Sequence, residues 1–185
     1  MGDYFKHALS LVESNDIGHG TRIWAFAHVL AGATIGKNCN IGEHCYIEEG
    51  VCIGDDVTIK NHVALWKGVT VESGVFIGPG VVLTNDRRPR SRVADWLLSK
   101  TRIAQGATLG ANATILCGVT IGAFAFIGAG SVVTKDIRPH ALAFGNPARS
   151  RGYVCRCATP LAFRRSRASC TKCGAVYQKR DLARD

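Results

Sequence analysis

The chain has 185 residues, room for one ordinary domain and a small appendage, and a formal charge of +9. Residues 1–148 hold 13 Lys and Arg against 12 Asp and Glu, whereas residues 149–185 hold 10 against 2, so the basic excess belongs to the tail. Four tail cysteines entering a zinc site as thiolates would bring the total to about +7, too weak a balance to argue for a nucleic-acid partner. No apolar stretch follows a basic N-terminus and no run approaches the ~18 apolar residues of a membrane span, which points to a cytoplasmic protein with no membrane partner.

Residues 1–16 carry no clear pattern and are expected to cap the first regular element of the chain. From Ile17 a six-residue rhythm sets in: Ile17, Ile23, Val29, Ile35, Ile41, Ile47, Ile53, Ile59, Leu65, Val71, Ile77 and Leu83 are all aliphatic. The fifth place of each hexad, from Thr21 and Ala27 to Val75 and Val81, is small or β-branched. A period of six fits neither an amphipathic helix nor a long alternating strand, but it does fit short strands that turn a corner every six residues. Three sides make a coil, and the interior of such a narrow prism has room for one aliphatic and one small residue per side. On this reading Cys39, Cys45, Cys52 and Cys117 are small apolar side chains in a reducing compartment.

His44 and His62 both fall at the fourth place of their hexads and lie 18 residues apart, which predicts that they stack in adjacent coils about 5 Å apart. Such a pair can supply a base near neutral pH, although two solvated surface histidines would give the same spacing. After Leu83 the rhythm stops for about 14 residues. The loop, 84–102, opens with Thr84-Asn85-Asp86-Arg87-Arg88-Pro89-Arg90, and its arginine cluster suits a pyrophosphate or carboxylate. The rhythm resumes at Ile103, Leu109, Ile115, Ile121, Ile127 and Val133. The prediction is an all-β parallel helix over 17–148, about six coils and roughly 29 Å tall. Its exposed edges call for closure by oligomerisation.

The tail, 149–185, carries Cys155-Arg156-Cys157 and, after twelve intervening residues, Cys170-Thr171-Lys172-Cys173-Gly174. The second pair has the spacing of a zinc knuckle; the first is tighter and has Ala158 where glycine is favoured. Cys155, Cys157, Cys170 and Cys173 are expected to hold a structural zinc with no open coordination position.

Gly20-Thr21-Arg22-Ile23-Trp24, Leu83-Thr84-Asn85 with Pro89-Arg90, Gly110 to Ile115, Gly128 to Asp136, and Gly145-Asn146-Pro147-Ala148-Arg149 form a set of motifs. Together they resemble those of the bacterial sugar-nucleotide N-acetyltransferases of the hexapeptide-repeat family, which act on the 3-amino group of UDP- or dTDP-linked 3-amino sugars. The likeness covers about residues 17–175; the last two motifs define the acyltransferase class and the others narrow the substrate.

The resemblance implies a left-handed solenoid, a homotrimer and acetyl-CoA as co-substrate. It implies that Asn85 sits against the reacting amine and that His44 matches a histidine of the deoxysugar-acting members. His62 stands where many relatives have another polar residue, and Arg22, His28, His62 and Arg90 are the implied sugar-nucleotide contacts. The pantetheine arm is expected along Ala111 and Ala129, with the adenosine phosphates near Lys135, Arg149 or Arg151. Because the substrate amine is itself the nucleophile, no Ser-His-Asp arrangement is required. The implied reaction belongs to surface-polysaccharide or glycoconjugate biosynthesis; O-acetylation of a hydroxyl on the same fold is the main alternative.

Overall fold

In the computed structural model, which describes residues 3–93 and 95–183, nearly every hexad makes a two- or three-residue strand and then turns. Met1, Gly2, Ala94, Arg184 and Asp185, which fall in the expected cap, loop and tail, lie outside the described residues. Strands three hexads apart pair in parallel and build three flat faces. The first face runs from Phe5–Lys6 through Arg22–Ile23, Asn40–Ile41 and Thr58–Ile59 down to Phe126–Ile127 and Ala141–Phe144. The second starts at Leu11–Val12 and includes His28–Val29, Tyr46–Ile47, Ala64–Leu65 and Val82–Leu83; the third runs from Asp16–Ile17 to Thr120–Ile121. The one helical element among the described residues is a short 3-10 turn, Asp181–Ala183, and no helix is long and apolar enough to cross a membrane.

Residues 3–16 are themselves a turn of the solenoid, so the six expected coils become seven. This first turn is one residue short: Phe5 pairs with Arg22 and Leu11 with His28, where deeper coils step by 18, as in Thr58 with Phe76. The slip turns Phe5 and Leu11 outward, and Val12 packs on the core instead. Below Val82–Leu83 the step widens, with Phe76 opposite Thr108, and the difference is the inserted loop.

Both inward places of the hexad are buried, including Ile41, Ile59, Ile77, Ile103 and Ile121 with Cys39, Cys45, Val57 and Ala113. Burial pushes the Cys45 thiol up to about 11, and its sulfur lies 3.2 Å from the Lys60 carbonyl oxygen. Cys117 is buried as expected, but Cys52 is not: it is the outward residue of its strand and is exposed on the third face. Each fully buried aliphatic contributes roughly 1.5–3 kcal/mol. Ile59→Ala should cost about 3 kcal/mol in urea unfolding, because the stacked coils above and below leave the cavity little room to collapse.

The corners take left-handed backbone angles. Glycine supplies many of them, yet Phe26, His44, His62, Phe124 and His140 adopt φ between 56° and 61° with bulky side chains. Such residues bear a cost of ~1–2 kcal/mol in this region, which ring stacking between successive coils can offset.

Candidate active site and metal centre

At the corner between the first and second faces, the rings of Phe26, His44 and His62 form a ladder. Phe26 and His44 are 4.9 Å apart at 17°, and His44 and His62 are 5.0 Å apart at 10°. The fourth place of the hexad puts all three side chains on one column, and the amides of His44 and His62 bond to Ala25 and Glu43 of the coil above. Parallel stacking covers both flat sides of His44, which remains an exposed residue. Lower on the same corner the column becomes Gly80, Asn112 and Gly130, with Ala111 and Ala129 beside it in adjacent coils. Gly130 N–H donates to Ala111 C=O at 2.9 Å, and a Cβ on Gly110 would meet Ala129 N at 2.5 Å. The strip is thus mostly backbone, suited to an extended arm.

The second face carries aromatic groups that the hexad pattern did not single out as functional. His28 stands edge-on to Tyr46 at 5.6 Å, and Tyr46 meets Trp66 at 5.4 Å. Glu13, from the first turn, reaches His28 Nε2 at 3.0 Å, and that hydrogen bond holds its carboxyl below the usual carboxylate range. Trp66 Nε1 donates to the Leu83 carbonyl at 2.9 Å, directly before the inserted loop. The available signal was the 18-residue spacing of His28 and Tyr46 at outward places.

The loop is tied at its base. Thr84 Oγ1 accepts from Cys117 N at 2.9 Å, and the Asn85 carbonyl accepts from Ser99 N at 3.1 Å. Beside Asn85, which is half-buried, a hollow of about 480 Å³ is lined by Thr84, Asp86, Arg87, Arg88, Leu116 and Thr134, among others. Arg87 and Arg88 thus contribute to it. Arg90, expected among the substrate contacts, is exposed and turns its Nη1 back to the Pro89 carbonyl at 3.0 Å.

Further down, Lys135 and Arg149 share a second hollow of about 290 Å³ with Arg138. Arg151 is elsewhere, its guanidinium 5.9 Å from the Phe144 ring centre. Arg22 lies on the first face, paired with Asn40 and away from the second face. Asn85 lies at the opposite edge of the second face from His44 and two coils below it, about 19 Å away at ~3.3 Å per extended residue and ~4.8 Å per coil. The single chain therefore joins His44 to His62, Ala111 to Ala129 and Lys135 to Arg149, but it does not bring Asn85 to His44.

In the tail, the Sγ atoms of Cys155, Cys157, Cys170 and Cys173 lie within 4.8 Å of one another, with Cys155–Cys173 at 3.4 Å and Cys157–Cys170 at 3.5 Å. A tetrahedral ion with ~2.3 Å metal–sulfur bonds needs sulfurs about 3.8 Å apart, so the set fits one. Left-handed Ala158 (φ 65°) and Gly174 (φ 75°) turn the chain behind each cysteine pair. Amides at Cys173 and Lys172 pull the Cys170 thiol down to about 6. The Ala175 amide favours the Cys173 thiolate, but the sulfurs of Cys155 and Cys170 prevail and push that thiol up to about 12. Four thiolates so close require a cation to deprotonate together.

The fold and the ladder of hexads find counterparts among known proteins. The family description "Bacterial transferase hexapeptide (six repeats)" matches residues 16–49 and 100–135, on either side of the loop. A hexapeptide-repeat-containing acetyltransferase of Vibrio cholerae O1 biovar eltor, solved in complex with acetyl-coenzyme A, superposes with a TM-score of 0.60 and 26% identity over 66% of this chain and 70% of that one. A putative acetyltransferase of Bacillus cereus shares the fold, with a TM-score of 0.58 and 24% identity over 82% and 83% of the two chains. The chain belongs to the bacterial hexapeptide-repeat transferases and is an acetyltransferase among them. Within that class it is similar to the dTDP-3-amino-3,6-dideoxy-alpha-D-galactopyranose 3-N-acetyltransferase of Aneurinibacillus thermoaerophilus, at 50% identity over 177 residues, 96% of this chain and 92% of that protein.

Proposed function

We propose that the protein transfers the acetyl group of acetyl-CoA to the 3-amino group of a nucleotide-linked 3-amino-deoxy sugar, with dTDP as the nucleotide. The main support is the 50% identity along 96% of the chain to a relative named for that reaction. Acetyl-CoA lies with its pantetheine arm on the backbone strip at Ala111 and Ala129 and its phosphates at Lys135 and Arg149. The sugar nucleotide occupies the second face, where His28, Tyr46 and the Arg87–Arg88 hollow offer ring and guanidinium contacts.

An amine attacks a thioester only when neutral. The neutral amine, oriented by a hydrogen bond to Asn85, adds to the thioester carbonyl, and the tetrahedral oxyanion collapses to amide and coenzyme A thiolate. His44 accepts the amine proton directly or through water. Because Asn85 and His44 stand at different corners of one prism, their meeting at one amine requires two subunits. A homotrimer whose prisms pack corner to face supplies this, and the exposed Val93, Trp96 and Leu97 of the loop are apolar groups for a neighbour to cover.

In the tail, Cys155, Cys157, Cys170 and Cys173 hold zinc. The four-sulfur set leaves no site for substrate, so the ion folds the tail and takes no part in acyl transfer.

The test is thiol release from acetyl-CoA with a panel of 3-amino and 4-amino sugar nucleotides. Turnover is expected with dTDP-linked 3-amino-6-deoxyhexoses; no turnover with any amino sugar, alongside acetylation of a hydroxyl acceptor, would replace this reading with the O-acetyl one. His44→Asn should lower kcat by about 100-fold with the KM for the sugar nucleotide little changed. A raised KM with kcat unchanged would leave His44 as an orienting group only.

A further inference from the structure

Between the solenoid and the four-cysteine cluster lies a second ladder of rings. Phe124 and His140 occupy the corner between the third and first faces in the last two turns, 5.2 Å apart at 30°. Tyr177, from the tail, meets His140 edge-on at 5.5 Å and 62°, extending the column into the metal module. Arg156, between two of the cysteines, places its guanidinium 4.9 Å from the centre of the Phe124 ring.

His140 is fully buried and grips one residue twice: its carbonyl accepts from Val154 N at 2.8 Å, and its Nδ1 lies 2.9 Å from Val154 O. The next residue is Cys155. The Tyr177 hydroxyl in turn lies 3.1 Å from Cys155 Sγ and accepts from Arg156 N at 3.1 Å. A metal-bound Cys155 is a thiolate and can only accept, so in that state the hydroxyl is the donor of this contact.

We propose that Tyr177 is a positioning residue of the metal centre: it donates to the Cys155 thiolate while its ring rests on His140, so that holding the metal and closing the lower end of the solenoid are one coupled event. Groups that hydrogen-bond a metal ligand fix its orientation, and losing them typically weakens metal affinity by about 10–100-fold. The inference rests on the zinc reading, and the experiment separates the two.

Zinc content is first measured in the purified full chain; a chain that takes up no zinc overturns the zinc reading and this inference with it. In a zinc-loaded chain, competition with a chromophoric chelator should show Tyr177→Phe releasing zinc about 10-fold more readily than wild type, and removing zinc should lower Tm by less in the variant. His140→Phe keeps a ring but loses the contact to Val154 O, and it should also weaken zinc although it is no ligand. If Tyr177→Phe loses Tm equally with and without zinc and holds the ion as tightly as wild type, Tyr177 merely packs and the proposal fails.

Discussion

Replacing Asn85 with alanine should lower kcat/KM for the amino sugar by about 100-fold or more, ~2.7 kcal/mol of transition-state stabilisation, with acetyl-CoA binding unchanged. The expectation comes from the loop's construction. The carbonyl of Asn85 is pinned by Ser99 N, and the preceding Thr84 is pinned through Cys117 N, so the backbone is fixed at both residues. A side chain on so rigid a base can hold an amine within hydrogen-bond reach, and its removal should leave the loop standing. Stopped-flow thiol release with calorimetric titration of acetyl-CoA distinguishes the outcomes: a rate within a few-fold of wild type takes Asn85 out of the reaction, and a parallel loss of cofactor affinity would mean that the loop had moved.

The second large effect concerns the tail. Cys170→Ser is expected to reduce bound zinc from one ion per chain to none and to expose residues 149–183 to protease, while the coils above keep their structure. Among the described residues, Cys155, Leu161, Ala168, Cys170 and Leu182 form a cluster separate from the solenoid core, thickened only by Tyr153, Phe163, Tyr177 and Cys157. So small a core does not carry its own ordering entropy, and a structural zinc site contributes folding free energy outright. Elemental analysis with limited proteolysis reads the result. Retained zinc in the variant, or an undigested tail after chelation, would show that the cluster stands without the ion.

Most of the solenoid is legible in the sequence because its physics is local and repeated: an aliphatic and a small residue every six positions can be satisfied only by a corner every six positions. The first turn escaped because Val12, not Leu11, faces inward, a slip that breaks the rhythm where no preceding coil enforces it. The shared corner of His44 and His62 was also fixed by counting, which is why they stack as their spacing requires. Contacts made where the repeat gives way to irregular chain were not readable. In the antiparallel strand Arg149–Val154 the register jumps from Gly152 opposite Leu142 to Ser150 opposite Ala143, so Arg151 is the extra residue of a bulge. The bulge breaks the alternation that would have put Arg151 on the side of Arg149, and its guanidinium turns to Phe144 instead. Tyr46 and Trp66 are ordinary outward aromatics in the sequence and acquire meaning only once Trp66 is seen under Leu83.

The register of 18 residues per revolution also governs which lengths of chain can be gained or lost. Excising six residues from an upper coil would rotate everything below by a third of a circle, moving the Asn85 loop from one edge of the prism to another while leaving every hexad intact. Excising 18 would only raise it by one storey, about 4.8 Å. Insertions and deletions in this molecule therefore act as a gearing of angle against height, and only whole revolutions leave the loop on the same edge of the prism.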